Sequence, residues 1–376
     1  MTLKKTKQSG FSMVEFLVAS AISLLILGVA VAAFSNSVRT SEMVALNSDL
    51  NDNLRASMDL MSRDLLLTGA GIPTSGISVP SGITISRPNL TATTFSAGTT
   101  SLAAVTLGTG LGPKVVIYNT PTSSVTSAAT DILTLLYEDN TWNVGESMDF
   151  APINRSASGS TTACNGTISA NGDTVAFDQS CNDLTKTRVP IQPGDLIMFT
   201  NPSGLTCIQT VTTANGQTLN FAANTTIDKF GFNQTGASSG TIVQLQNVDS
   251  TGKPNGTYPP ITATRIFMVT YFIDNVADAL RPRLMRQVNF LPAQPVGDVL
   301  EVLQVTYNFV DGNTPPTFYA NQNSIPAGLN ANFIRSANIF LGARSNKAYS
   351  KGNVYFRDNL TSQVSFRSLS YFNRYQ

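Results

Sequence analysis

The sequence predicts an α+β protein: one long N-terminal helix, apolar enough in its first half to cross a membrane, packed on a β-rich, mainly antiparallel globular domain. Three observations predict it. No charged residue stands between Glu15 and Arg39. Met43, Leu46, Leu50, Leu54, Met58, Met61 and Leu65 then recur at spacings of three and four, the period of one helical face. Beyond Pro73, short runs of β-branched and aromatic residues alternate with Ser, Thr, Gly and Asn, a pattern of strands and turns.

The helix comes first. From Phe16 to Phe34 every residue is apolar or small, Ser20 and Ser23 being the only hydroxyls. At the helical rise this run covers about 28 Å, close to the hydrocarbon thickness of a bilayer. Lys4, Lys5 and Lys7 precede it, and residues 1–10 hold no acid, so charge asymmetry predicts a cytoplasmic leader and an exported remainder. The first proline is Pro73, and nothing before it stops the helix. Residues 11–38 are therefore read as the transmembrane and assembly segment, and 39–72 as its amphipathic continuation. The Met/Leu stripe is expected to face the globular domain. Asp49, Asp52, Arg55, Asp59, Arg63 and Asp64 are assigned to the other faces, with Arg55–Asp59 and Asp59–Arg63 spaced for helical ion pairs. Gly69, Gly71 and Pro73 supply the stop.

The globular domain, 73–376, is expected to hold strands at 115–118, 132–137, 196–199, 241–245, 265–273, 284–288, 302–309, 337–341 and 364–366. Residues 74–130 are poor in charge and rich in Ser, Thr and Gly. That stretch reads as a surface insertion or a weakly ordered segment. No repeat of 20–50 residues runs through the chain.

Composition narrows the function. Only 12% of residues are charged and the formal net charge is +1, which offers no basic surface for nucleic acid. Without residues 1–10 the balance is 21 basic against 23 acidic residues. The chain contains no histidine, which removes His-based acid–base chemistry, Ser-His-Asp and Cys-His nucleophiles and His-ligated metals. No catalytic residue, metal site or cofactor is expected. Gly108 to Lys114 precedes a strand and lacks the Lys-Ser/Thr pair of a phosphate loop. Asp249 to Gly256 lacks the spacing and closing Glu of a calcium loop. Trp142, the single tryptophan, reads as a half-buried anchor. The three cysteines are Cys164, Cys181 and Cys207. Cys164 and Cys181 bracket Asn171-Gly172-Asp173, a turn sequence, and a disulfide between them would contribute roughly 3 kcal/mol in an oxidising compartment. Three unpaired thiols are the alternative.

Glu15 needs its own account. A carboxylate at the centre of a bilayer costs about 2.5–3.5 kcal/mol or more, so a chain that keeps one at the mouth of its apolar run has a partner for it. A cleavable secretory signal, cut at Ala30-Val31-Ala32, would discard half of a helix that otherwise continues. A plain signal anchor has no use for Glu15. Neither uses Gly10-Phe11.

Gly10-Phe11-Ser12-Met13-Val14-Glu15 behind a basic leader resembles the type IV prepilin motif, with Met13 in place of the commoner Leu. The resemblance implies a 1–10 leader peptide, cleavage between Gly10 and Phe11 by a prepilin peptidase, and N-methylation of Phe11. It also implies that Glu15 pairs with the new amino terminus of a neighbouring subunit. Major pilins often carry a proline in the apolar stretch; here only Gly28 could loosen it. A second resemblance is to PilW-type minor pilins. It rests on Asn53 to Leu65 with Thr68-Gly69-Ala70-Gly71, on Val269 to Ile273 with Arg283 to Gln287, on Val299 to Gly312, and on Phe333 to Ser345, in that order. Residues 74–260 carry no such resemblance. Arg63-Asp64 and Arg344, within these motifs, are expected to make surface or cap interactions.

Together these imply a minor pilin, a structural subunit rather than an enzyme, in a priming or tip complex of a type IV pilus. Its partners would be prepilin peptidase, other minor and major pilins, and inner-membrane lipid. It would sit in the bacterial inner membrane as a single pass with a periplasmic domain, and then in the pilus. A minor pseudopilin of type II secretion and a pilus-tip adhesin are the alternatives.

Overall fold

The computed structural model describes residues 10, 12–80, 86–89, 94, 95, 99–139, 166–177, 190–223, 225–234, 236, 239–350 and 352–372. A single helix, α1, runs from Met13 to Leu67, 55 residues, or about 80 Å of continuous rod. Its apolar window has a mean hydropathy of 2.6 and is 0% buried against the protein. The second half behaves differently. Leu50, Leu54, Met58, Met61 and Leu65 are buried, so the Met/Leu stripe is the face that meets the domain. Among the described residues, no ion pair joins Arg55 to Asp59 or Asp59 to Arg63, although the spacing predicts both.

The helix stops where glycine permits. The Thr68 N–H bonds back to Leu65 O, and its hydroxyl donates to Asp64 O. Gly71 follows with φ +69, and a Cβ there would collide with the Glu138 side chain. Such a left-handed residue with no room for a side chain must be glycine. Gly69 N–H then donates to Leu136 O at 2.9 Å, and Glu138 N–H to Ala70 O at 2.9 Å, so the chain leaving the helix is bonded directly to a core strand.

Beyond the helix the described chain forms β1 (Ile77–Ser78), β2 (Ser101–Leu102), β3 (Val105–Thr106), β4 (Lys114–Thr120), β5 (Ser123–Ala129), β6 (Leu133–Glu138), β7 (Gly166–Ile168), β8 (Thr174–Phe177), β9 (Leu196–Thr200), β10 (Thr206–Thr210), β11 (Thr213–Asn215), β12 (Thr218–Asn220), β13 (Thr262–Asp274), β14 (Arg283–Val288), β15 (Gln294–Asp298), β16 (Leu300–Val310), β17 (Phe318–Gln322), β18 (Ile334–Arg344) and β19 (Arg357–Ser365). A short helix, α2, follows at Arg367–Phe372. All pairings are antiparallel. A seven-stranded sheet runs β10-β9-β13-β14-β15, with β6 also on β13 and β3 on β6. A four-stranded sheet runs β17-β16-β18-β19, and another β11-β12-β8-β7.

Thirteen-residue β13 organises the first sheet, pairing with β14, β6 and β9. Its last seven residues are all buried, as expected of a strand covered on both faces. The helix packs against β18 and β19 of one sheet and β15 and β6 of the other. One continuous apolar core joins them. A smaller core lies under β7–β12 and contains Cys207.

Four features differ from the sequence expectation. Residues 241–245 form no strand: Ile242–Leu245 is a 3-10 turn. The four residues Ile242-Val243-Gln244-Leu245 carry too little periodicity to distinguish the two. The described part of 74–130 is more deeply packed than a surface insertion, since β3 joins the main sheet and Ile77, Leu102 and Val105 are buried. Asp64 and Arg344, expected at the surface or in caps, are buried. The Asn171-Gly172-Asp173 turn does join β7 to β8, with Gly172 at φ +73. Cys164, Cys181 and Trp142 lie outside the described residues; Cys207 is a buried free thiol.

A close helix–sheet contact is at Ser57, where β15 brings in Gly297. A Cβ at Gly297 would collide with Ser57 Oγ and press on Leu300 Cδ1. One turn below, the Asn53 side-chain amide grips the backbone of Asp298, accepting from its N–H at 3.1 Å and donating to its carbonyl. It thereby stands in for a neighbouring strand at the sheet edge. Gly297→Ala should destabilise the protein by about 1–3 kcal/mol through overpacking. Ser57→Ala in the same chain should recover part of that loss, as read by urea denaturation in detergent.

Candidate functional site

The N-terminal end of α1 begins with a capping box. Ser12 is the N-cap; its hydroxyl accepts from Glu15 N–H at 3.3 Å, while Glu15 Oε2 accepts from Ser12 N–H at 2.9 Å. The first backbone N–H groups of a helix lack internal partners, and this reciprocal arrangement satisfies two of them. It also puts a negative charge at the positive end of the helix dipole. Glu15 is therefore already engaged within its own chain, although a carboxylate has two oxygens and room for further donors. Gly10 is described and exposed; Phe11 lies outside the described residues. The capping role follows from the S-x-x-E pattern of Ser12-Met13-Val14-Glu15, a signal not used in the sequence reading.

Beyond this cap the helix presents Phe16, Leu17, Leu24, Leu25, Ile26, Val29 and Phe34 with more than half their surface exposed. A contiguous apolar surface of this size marks a membrane or a protein partner.

At the other end of the helix lies a polar site that the sequence reading missed. Asp64 is 3% exposed and receives four donors. Arg286 of β14 reaches it with Nε at 2.7 Å and Nη2 at 3.2 Å. Tyr271 OH of β13 donates at 2.5 Å and Tyr137 OH of β6 at 3.1 Å. Three adjacent strands thus converge on one helical carboxylate. Burial pushes both tyrosines above their usual pKa, and the Asp64 charge pushes them further. Burial works against the Arg286 charge, but Asp64 with the two tyrosines outweighs it and holds the guanidinium above its usual range.

Arg344 proves to be half of a second buried pair. Its Nε lies 2.9 Å from Glu301 Oε1, and Arg357 Nε lies 2.9 Å from Glu301 Oε2. A third cluster joins Arg265 to Asp195 at 2.9 Å and to Asp139 at 3.7 Å. Arg87 is buried too, with its guanidinium donating to Leu107 O, Thr106 O and Thr134 Oγ1; burial lowers its pKa to about 10. These groups tie elements together. Among the described residues no cluster of three His, Cys, Asp or Glu side chains could hold a metal ion.

Removing one partner of a buried ion pair costs about 3–5 kcal/mol, because the other charge is left unpaired. Arg286→Met should therefore destabilise the chain by about that much, and Asp64→Asn by less, since asparagine can still accept from the tyrosines. The pH dependence has a definite sign. Tyr137 and Tyr271 ionise near pH 10 when unfolded but higher when folded, so stability should fall as pH rises above about 10. Tyr271→Phe should flatten that fall, as measured by denaturation at a series of alkaline pH values.

Among known protein families, the prokaryotic N-terminal methylation motif matches residues 5–31. That window holds Gly10, Phe11, the capping box and most of the apolar run. No curated protein matches the chain, and no solved structure does. The motif and the apolar helix behind it support a type IV pilin-like or pseudopilin protein anchored in a membrane.

Proposed function

We propose that the chain is a PilW-like minor pilin, a structural subunit acting in the priming or tip complex of a type IV pilus. The observation that carries this reading is the division of one unbroken helix. Met13–Leu67 is capped at Ser12 and Glu15, bare through its apolar first half, and seated on the domain through its second. A bare half-helix behind a prepilin-type motif is what a subunit needs to leave lipid and enter a bundle of neighbouring helices.

The sequence of events follows from the chemistry. Prepilin peptidase would cleave between Gly10 and Phe11, giving Phe11 a free amine, which is then N-methylated. Cleavage leaves the Ser12–Glu15 box intact, so the helix start remains satisfied. In the membrane Glu15 sits near the interface, where its cost is lower than at the bilayer centre. On assembly its remaining lone pairs accept the Phe11 ammonium of a neighbour, and this charge-assisted bond sets the axial register between the two helices. Burial of apolar helix surface against other minor and major pilins supplies affinity at about 25 cal/mol per Å². The domain stays on the periplasmic side and later at the cell surface. A Cys164–Cys181 disulfide fits that oxidising route.

A minor pseudopilin of type II secretion would use the same helix in the same way. A pilus-tip adhesin has a specific observation in its favour, a cleft of about 750 Å³ lined by apolar groups such as Phe221 and Val243 together with Asp173 and the amides of Asn171, Gln209, Asn220 and Gln234.

Mass spectrometry of the protein from membranes should find a mature chain that begins at methylated Phe11. A chain beginning at Ala33, or still at Met1, would overturn the reading. Glu15→Ala should be cleaved normally yet enter fibres about tenfold less, the factor carried by some 1.4 kcal/mol. A deletion strain that loses surface pili and keeps secretion selects the pilus over the secretion system.

A further inference from the structure

Among the described residues, the connection from β18 to β19 makes the side-chain hydrogen bond between domain and α1 that lies nearest the apolar run. Ser345 to Ser350 and Gly352 to Phe356 form the two arms of a small hairpin. Tyr349 N–H donates to Val354 O, and Asn353 N–H to Tyr349 O, both at 2.8 Å. Its base is closed by Ser345 N–H to Phe356 O at 2.8 Å and by Phe356 N–H to Ser345 Oγ at 3.1 Å. Tyr349 packs on Phe356 at 5.6 Å between ring centres, and Arg344 lies over the Tyr355 ring at 4.1 Å. At its tip, Ser350 Oγ donates to Glu42 Oε2 of the helix at 2.6 Å.

That contact fixes a height. Glu42 stands eight residues beyond Phe34, the last residue of the apolar run, or about 12 Å along the helix. The headgroup region adds about 5–7 Å to each side of the hydrocarbon. The tip therefore hangs just above the headgroups, within reach of extended side chains. Its composition suits the place. Ser345 to Phe356 contains Lys347, Lys351, Tyr349, Tyr355 and no acid. Lys347 is exposed, and so is Val354 at 41%. Tyrosines and lysines are the residues that anchor proteins at a membrane interface. Glu42 is engaged by Ser350, and Arg39 lies one helical turn nearer the bilayer.

We infer that the Ser345–Phe356 hairpin is an interfacial anchor, resting on the anionic lipid headgroups of the leaflet that faces the domain and fixing how the domain stands while its helix is in the bilayer. The inference rests on the reading of residues 16–34 as a membrane span.

The test uses the full chain in vesicles of phosphatidylglycerol and phosphatidylcholine that carry a headgroup nitroxide lipid. Tryptophan is placed by Tyr349→Trp at the hairpin, by Phe34→Trp at the end of the span, and by Phe318→Trp on β17. Phe318 pairs with Val310 at the end of β16 opposite Leu300, about 34 Å of strand away. The signal of Trp142 in the parent chain is subtracted. Fluorescence at position 349 should be quenched at least threefold more than at 318. Lys347→Glu, or vesicles of phosphatidylcholine alone, should roughly halve that quenching. Position 349 behaving like position 318 while position 34 is quenched would overturn the anchor and leave the span standing. No quenching at position 34 would instead overturn the span. Shielding of position 349 in purified fibres but not in vesicles would assign the hairpin to a neighbouring subunit and also overturn the anchor. Val354→Trp gives the same reading if Tyr349→Trp fails to fold.

Discussion

The carboxylate of Asp64 holds the molecule's two halves to each other. A helix of 55 residues whose apolar stretch is not buried by its own domain acts as a long lever on whatever holds the second half. Apolar packing of Leu54, Met58, Met61 and Leu65 supplies affinity but little direction. Direction comes from Asp64, which takes a bidentate Arg286 and two tyrosine hydroxyls from three adjacent strands. A planar guanidinium fork and two fixed phenols accept only one position of the carboxylate. The helix can neither slide by a turn nor rotate without leaving a buried charge unpaired. Asn53, gripping both backbone groups of Asp298, repeats the device about three turns below Asp64 with neutral groups.

The same logic governs the strained turn beside it. Val299 has φ +54, a left-handed conformation that a β-branched side chain adopts only when its surroundings compel it. Here they do. Its carbonyl accepts from Arg344 N–H at 3.1 Å, its side chain is buried, and its neighbour Asp298 is held by the helix. The Arg344–Glu301–Arg357 cluster, in which Arg344 and Glu301 are buried, keeps β18, β16 and β19 in register next to it. The polar groups buried near the helix thus have a common use, which is positional accuracy where apolar packing alone would tolerate slippage.

Much of this was legible from the chain. The helix and its two environments follow from the uncharged run before Arg39 and the Met/Leu stripe after it. The long strands β6, β9, β13, β14, β16 and β18 follow from β-branched and aromatic runs. Asp64 was also legible, and was misassigned. It stands three residues after Met61 and one before Leu65, so the 3.6-residue period places it on the buried face, and a buried acid demands a cation. What the sequence could not name was the cation, because Arg286 lies 222 residues away. Residues 74–130 hid their packing for another reason. Ile77, Leu102 and Val105 are single apolar residues in two-residue strands, too short to show a period against a Ser/Thr/Gly background. β15 was hidden by Pro295 and Gly297, which weaken a strand signal but suit an edge covered by a helix.

An unbroken helix and a rigid helix–domain joint constrain the proposed assembly together. A fibre shaft packs many copies at close axial spacing, and a helix that loosens locally eases that packing. In this chain no proline precedes Pro73, and the only glycine in the apolar stretch, Gly28, sits within regular helix. Any displacement of the helix end is therefore carried undiminished into the domain through Asp64. The domain is also wide, since β7–β12 build a second core beside the one that seats the helix. In the proposed pilus, a stiff rod with a wide head would crowd a repeat of itself one short axial step above. Such a subunit would suit the proposed priming or tip position, where only one neighbour must be matched and a fixed head angle would present the same surface to every incoming subunit.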